Sequence, residues 1–186
     1  YKEQEEKWKA AAKKAKDDGK PEPARPRFPN NPLTGNHRPA NIYNGVLKPT
    51  IGYGIKGAIW YQGEGNGGES ASYIEKKRAM VTEWRKLWGY EFPFYYVQLA
   101  NWLKPSEDPA GGDGWSRMRV AQADCMKAIP KTGMASAVDI GEADDIHPRN
   151  KYDVGERLAL WALKNTGQAA GVAGADIKAT AAWDII

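Results

Sequence analysis

The sequence predicts an α/β layered fold built on a parallel sheet, and three observations carry the prediction. Short apolar runs alternate with longer stretches whose apolar residues recur at helical spacing. Each apolar run empties into a loop rich in glycine and polar side chains. The chain has 186 residues with 8 Trp, 9 Tyr and 3 Phe, enough for a sizeable core despite its polar average. Strands alternating with helices imply parallel pairing through crossover helices.

Residues 1–16 read as an Ala-rich charged helix with a thin apolar side of Tyr1, Trp8, Ala11, Ala12 and Ala15. Asp17, Asp18 and Gly19 end it. Pro21, Pro23, Pro26, Pro29, Pro32 and Pro39 make residues 20–39 an extended connector. Residues 57–61 form the first apolar run and lead into Gln62-Gly63-Glu64-Gly65-Asn66-Gly67-Gly68. An amphipathic helix follows over 73–88, with Tyr73, Met80, Val81, Trp84, Leu87 and Trp88 on one side and Gly89 as its stop. Ser70 and Ser72 are candidate caps for its start. Residues 92–99 are a second buried strand, and 101–114 a loop of Pro, Gly and Asp. A helix over 116–129 turns Met118, Ala121, Cys125 and Ile129 inward; a third strand over 134–140 precedes the loop 141–150. A last helix over 152–165 has Val154, Leu158 and Trp161 on its core side. The organisation expected is a charged helix and connector over 1–39, a catalytic-domain portion over 40–165 and an Ala- and Gly-rich tail over 166–186. Three strands are few beside the usual five or six, so the reading is of the later half of a doubly wound sheet.

The net charge of +4 resides mainly in the N-terminal third, where Lys alternates with Glu and Asp. Mixed signs at helical spacing describe a solvated helix and not a nucleic-acid face. No run of about 18 apolar residues occurs to cross a membrane. Cys125 stands alone, which excludes an internal disulfide, and residue 1 onward is not a signal peptide.

In open α/β sheets the chemistry gathers in loops beyond the carboxyl ends of strands. The first such loop carries Gln62, Glu64 and Asn66, the second Gln98 and Asn101, the third Glu142, Asp144, Asp145 and His147. His147 is one of two histidines. Carboxylates two and three residues before it suit a general base whose tautomer a carboxylate fixes. A surface histidine in an acidic loop, or a capping residue, satisfies the same spacing. No second nearby histidine or cysteine pair argues for a metal, and no cofactor is expected. His37 lies in the connector and reads as incidental. Gln62 and Asn66 bring amides suited to a developing oxyanion, and Gly63 and Gly65 allow close backbone approach; a hydrogen-bonded turn is the plainer reading. Trp60, Tyr61, Tyr95, Tyr96 and Trp102 are candidates for a sugar-stacking surface, several of them core by their strand positions.

The segments Tyr43-Asn44-Gly45-Val46-Leu47-Lys48-Pro49 and Ile55-Lys56-Gly57-Ala58-Ile59-Trp60-Tyr61-Gln62-Gly63-Glu64-Gly65-Asn66 closely resemble the sialate O-acetylesterase family. These are SGNH-type hydrolases related to carbohydrate esterase family 6. Pro93-Phe94-Tyr95-Tyr96-Val97-Gln98-Leu99-Ala100-Asn101, Arg119-Val120-Ala121-Gln122, Asp145-Ile146-His147-Pro148-Arg149-Asn150-Lys151 and Val154-Gly155-Glu156-Arg157-Leu158-Ala159 follow in the same order. The resemblance runs from about residue 40 to 163. It implies a three-layer α/β/α SGNH-hydrolase (flavodoxin-like) fold that removes acetyl groups from sugar hydroxyls through an acyl-enzyme. His147 matches the catalytic histidine. Asp145 matches the family's run before it, while Asp144 has the spacing common in wider SGNH enzymes; Asp145 is preferred. Gln62 falls in the family's third block and inherits an oxyanion role, with Gly63, Glu64 and Asn66 shaping that loop. Gly65 departs from the family's usual serine.

A larger departure is the nucleophile. The family's Gly-Gln-Ser-Asn segment and its Gly-Gly-Thr run do not occur, and Ser70, Ser72, Ser106, Ser116 and Ser136 lie outside any such motif. The expectation is a portion of a longer or nicked serine acetylesterase, partnered by an N-terminal segment that carries the serine, acting on acetylated carbohydrate. Residues 1–39 are then an insertion between the second and third blocks. Resemblance implies a secreted or periplasmic bacterial setting. The competing readings are a non-catalytic carbohydrate-binding protein and an inactive fragment.

Overall fold

The computed structural model describes residues 2–25, 38–105, 107–108 and 113–166, in two compact units, Tyr1–Ile51 and Gly52–Ile186. His37, most of the Pro-rich connector, Ser106 and the tail after residue 166 lie outside the described residues.

In the first unit, helix α1 (Lys2–Asp17) places Glu3 and Glu5 in its first turn and Lys14 and Lys16 in its last, which complements the helix dipole. The i,i+4 pairs Lys7–Glu3 and Lys9–Glu5 add a few tenths of a kcal/mol each, about what such exposed pairs contribute. The Trp8 indole N–H donates to the Pro23 carbonyl at 3.0 Å and Arg25 lies over the Trp8 ring, so the chain returns along the helix after Gly19. A π-helical turn (Tyr43–Leu47) and a 3₁₀ turn (Lys48–Thr50) follow, neither with a buried residue.

The second unit runs β1 (Ala58–Trp60), α2 (Ser70–Trp88), β2 (Phe94–Val97), α3 (Gly114–Ala128), β3 (Thr132–Ala135) and α4 (Lys151–Asn165). The strands pair in parallel in the order β1-β2-β3, with Ala58, Phe94 and Thr132 in register. Parallel neighbours need long crossovers, which α2 and α3 supply. Trp60, Phe94, Tyr96 and Met134 pack on one face with Val81 and Trp84 of α2 and Met118 and Cys125 of α3. Tyr95, Val97 and Ala135 pack on the other with Val154, Leu158 and Trp161 of α4. This is the α/β/α layering expected. All of β2 is buried, as befits a central parallel strand.

The strands are shorter than the apolar runs. Phe92 and Leu99 are as buried as strand residues, yet Pro93 has no N–H for a ladder and Leu99 gives its N–H to a side chain. β3 starts two residues early because Phe94 N donates to Lys131 O, and it ends where Ala135 O accepts from Gln98 N.

Helix α2 shows where helical spacing misjudged the face. Leu87 is exposed, while Lys77 and Arg85 are buried on the stripe of Tyr73 and Val81. Arg85 donates to the carbonyls of Phe92 and Pro130, so its burial ties two loops together. Ser70 and Ser72 do not cap the helix: Glu69 holds that position, and the Ser72 hydroxyl donates to the Glu69 carbonyl. Gly89, at φ 78°, ends α2 in the left-handed conformation as expected.

Lys77 has no such partner. Its ammonium lies 3.2 Å from the Tyr96 ring centre, its nitrogen is buried, and no hydrogen-bond acceptor among the described residues reaches it. Burial pushes its pKa down to about 7, against about 10.4 in an unfolded chain. Between those values the unfolded chain binds a proton that the folded chain lacks, so stability rises with pH there and is lowest below pH 7. Lys77→Met is therefore expected to stabilise the fold at pH 7 by about 1–2 kcal/mol and to flatten that rise. Urea unfolding at pH 7 and pH 9 checks it, and an unchanged slope would count against the assignment.

Gly133 illustrates a steric limit. A Cβ there would fall inside the Trp161 ring, which the bond from its indole N–H to Met134 O (2.9 Å) holds in place. Gly133→Ala is expected to cost about 1–3 kcal/mol by overpacking, measured as a drop in Tm. Loss below ~0.5 kcal/mol would mean that α4 shifts freely.

Candidate active site

Three loops leave the carboxyl ends of β1, β2 and β3. In the first, Gln62 Nε2 donates to Asn66 Oδ1 at 2.6 Å, and Asn66 Nδ2 donates to Glu69 Oε2 at 2.8 Å. A 3₁₀ turn, Glu64–Asn66, carries these groups. Gly63 has φ 153°, and a Cβ on it would stand 2.8 Å from Gln122 Nε2. Glycine is thus required both by backbone conformation and by space. A Cβ added at Gly65 would meet open space, so no described residue requires glycine there. One of the two amide N–H donors of Gln62 serves Asn66, and the other meets no hydrogen-bond acceptor among the described residues. A cavity of about 90 Å³ opens beside Gln62, lined also by Trp60, Asn66, Tyr73, Lys77 and Met80.

The residue that anchors this loop is Gln122 on α3, fully buried. Its Oε1 accepts from Leu99 N at 2.9 Å, its Nε2 donates to Gln62 O at 3.3 Å, and its own carbonyl accepts from the Tyr96 hydroxyl at 2.6 Å. One side chain therefore joins the loops after β1 and β2 to α3. A glutamine on the apolar stripe of Met118, Ala121 and Cys125 was the sequence signal for this role.

In the third loop, Asp145 Oδ1 accepts from the backbone N–H of His147 at 2.8 Å. The same oxygen is 3.7 Å from His147 Nδ1, beyond hydrogen-bond range. The His147 side chain is 82% exposed. Asp144 is exposed as well. Asp145 and His147 are thus neighbours, with the carboxylate engaged by the backbone and the imidazole facing solvent.

Several contacts knit the three loops together. Gly141 N donates to Asn101 Oδ1 at 2.7 Å, and Leu103 N donates to Ala143 O at 3.0 Å. Lys151, which opens α4 just after His147, lies over the ring of Tyr61, which precedes Gln62, at 4.6 Å. The Gly67 carbonyl sits where a Cβ on Gly114 would go, so α3 begins against the first loop. Beneath them, Arg157 binds both carboxylate oxygens of Asp139 at 2.6 Å and holds that carboxyl below the usual range. Arg157 also donates to Ser136 O, and the Ser136 hydroxyl donates to Gln98 Oε1 at 2.9 Å. Ser72, Ser116 and Ser136 all spend their hydroxyls on such local acceptors. Of the aromatic candidates, Trp60, Tyr95 and Tyr96 are absorbed by the core, Tyr61 lies under Lys151, and Trp102 pairs with Trp115.

Among the described residues no cluster of three metal-ligating side chains forms, and no helix is long and apolar enough to cross a membrane.

Comparison with known proteins is consistent with this layout. Residues 38–164 match the family described as carbohydrate esterase, sialic acid-specific acetylesterase. The chain is 32% identical over 149 residues to the sialate O-acetylesterase of Mus musculus, covering 70% of this chain and 27% of that protein. It is 31% identical over 159 residues to the sialate O-acetylesterase of Homo sapiens, covering 75% and 30%. A crystal structure of a carbohydrate acetylesterase from Xanthomonas citri superposes with a TM-score of 0.59 at 41% identity, covering 70% of this chain and 30% of that one. The chain thus spans less than a third of the length of these relatives. With a match over most of its described residues, in the order of its strands and loops, the chain belongs to the sialic acid-specific acetylesterase family of carbohydrate esterases.

Proposed function

We propose that the protein carrying this chain is a carbohydrate O-acetylesterase that cleaves acetyl esters of sugars by a Ser-His-Asp mechanism. The nucleophilic serine comes from a preceding segment of the same protein. His147 removes its proton as it attacks the acetyl carbonyl, then returns the proton to the departing sugar oxygen. Asp145, with Asp144 as the alternative, orients the imidazole after a side-chain rotation that releases the backbone N–H. The free amide N–H of Gln62, with backbone N–H groups of its loop, stabilises the oxyanion; Gly63, Glu64 and Asn66 hold that loop in shape. Water then attacks the acyl-enzyme, again with His147 as base. An exported, periplasmic or extracellular setting belongs to this reading on family grounds alone.

The observation that carries the proposal is that the Gln62 and His147 loops leave carboxyl ends of the same parallel sheet and are bridged by Lys151 over Tyr61. The outer edge of β1 supports the missing segment. Ile59 is 72% exposed on the face opposite Trp60, and β1 has no second strand partner among the described residues. A strand and helix preceding this chain would cover both.

Acetate release from O-acetylated sialic acid and from acetylated methyl glycosides by the full-length protein tests the reading. No release from any of them, with a folded preparation, sinks it and leaves carbohydrate binding without catalysis.

A further inference from the structure

Trp102 and Trp115 form an aromatic pair at the margin of the first core cluster. Trp115 packs partly on the core with its indole N–H donating to Ala100 O at 2.8 Å, which fixes the plane of its ring. Trp102 lies on Trp115 at a centroid distance of 5.0 Å and belongs to neither cluster. Both are only partly buried. Leu103 beside them is 53% exposed and has φ 68°, a conformation that a leucine rarely takes. Its N–H bond to Ala143 O holds it there. The strain and the exposure fall on the same short segment.

Position turns these features into a site. Through Asn101 and Leu103 the Trp102 segment is bonded to residues 141 and 143, just before Asp144. On the other side, the Trp115 ring reaches the space beside Gly67 in the loop that begins at Gln62. The segment that carries Trp102 is therefore tied to the loop assigned above to the base, and its ring partner Trp115 reaches the loop assigned to the oxyanion. Flat, rigid aromatic faces with polar loops on both flanks match the alternating C–H faces and hydroxyl rims of a pyranose ring.

We propose that the Trp102–Trp115 pair, extended by Leu103, is the sugar subsite on which the pyranose ring of the acetylated substrate stacks. The inference rests on the esterase reading above and adds to it where the sugar, as distinct from the acetyl group, is recognised. Trp102 contributes its face; Trp115 is a positioning residue that sets the angle of Trp102.

The test measures the full-length protein and its Trp102→Ala and Trp102→Phe variants on two kinds of ester. One is a set of O-acetylated methyl glucoside, xyloside and sialoside. The other is trifluoroethyl acetate, which has no ring to stack. Trp102→Ala is expected to lower kcat/KM for the best sugar ester about five- to tenfold more than for trifluoroethyl acetate, mainly through KM, and Trp102→Phe to recover most of that difference. Equal losses on both kinds of ester, or no loss on either, overturn the subsite. Should wild type hydrolyse no ester, the catalytic reading fails separately, and calorimetric binding of the same three glycosides decides the subsite. Binding weakened by Trp102→Ala upholds it. Binding unaffected by the change, or absent from wild type, removes it.

Discussion

Replacing His147 by Ala in the full-length protein is expected to lower kcat for an acetylated sugar by roughly four orders of magnitude. The same change should leave Tm almost untouched. His147 buries little: its side chain is 82% exposed and only its backbone N–H is bonded to Asp145. An exposed side chain of this kind contributes within about 0.5 kcal/mol to stability. Activity and folding are thereby separated, and a lost kcat cannot be blamed on an unfolded enzyme. Asp145→Asn and Asp144→Asn in the same assay divide the orienting role, since the effective partner should cost far more than its neighbour. A His147→Ala enzyme with near-normal kcat would mean that another group is the base.

Gln122→Ala is expected to have the largest effect on stability, about 3–5 kcal/mol. Truncation leaves the buried N–H of Leu99 without its acceptor and takes from Gln62 O one of its two donors, the other being the Tyr73 hydroxyl. It also opens a cavity in the core beside Leu99 and Tyr96. Gln122→Met fills much of that cavity while still removing the hydrogen bonds, so it should recover part of the loss and no more. Urea unfolding of the three proteins yields both increments. A loss below ~1 kcal/mol for Gln122→Ala would show that water replaces the amide and that the loops after β1 and β2 are held elsewhere.

Where stability comes from apolar periodicity, the chain was readable before folding. The inward residues of α3, Met118, Ala121 and Cys125, Ile129 just past its end, and Val154 and Leu158 of α4 are all buried. A helix face repeats every 3.6 residues whatever it packs against, so its spacing is written in the chain. Leu87 and Lys77 mark the limit of that logic. Which edge of a broad apolar stripe touches the sheet depends on the angle at which α2 crosses it, and that angle is a property of the partner. Strand ends likewise followed hydrogen-bond partners such as Phe94 N to Lys131 O, which join residues far apart in sequence.

For the site, the motifs named the loops, and the topology brought those loops to one end of a parallel sheet. Alternating apolar runs and amphipathic stretches determined the layered α/β class and its parallel sheet, while the order β1-β2-β3 came only with the structure. The joint held by Gln122, the pairing of Trp102 with Trp115 and the state of Asp145 were decided only by the tertiary structure. Each depends on distances between residues separated along the chain, or on which of two acceptors a donor can reach, and composition and spacing carry neither.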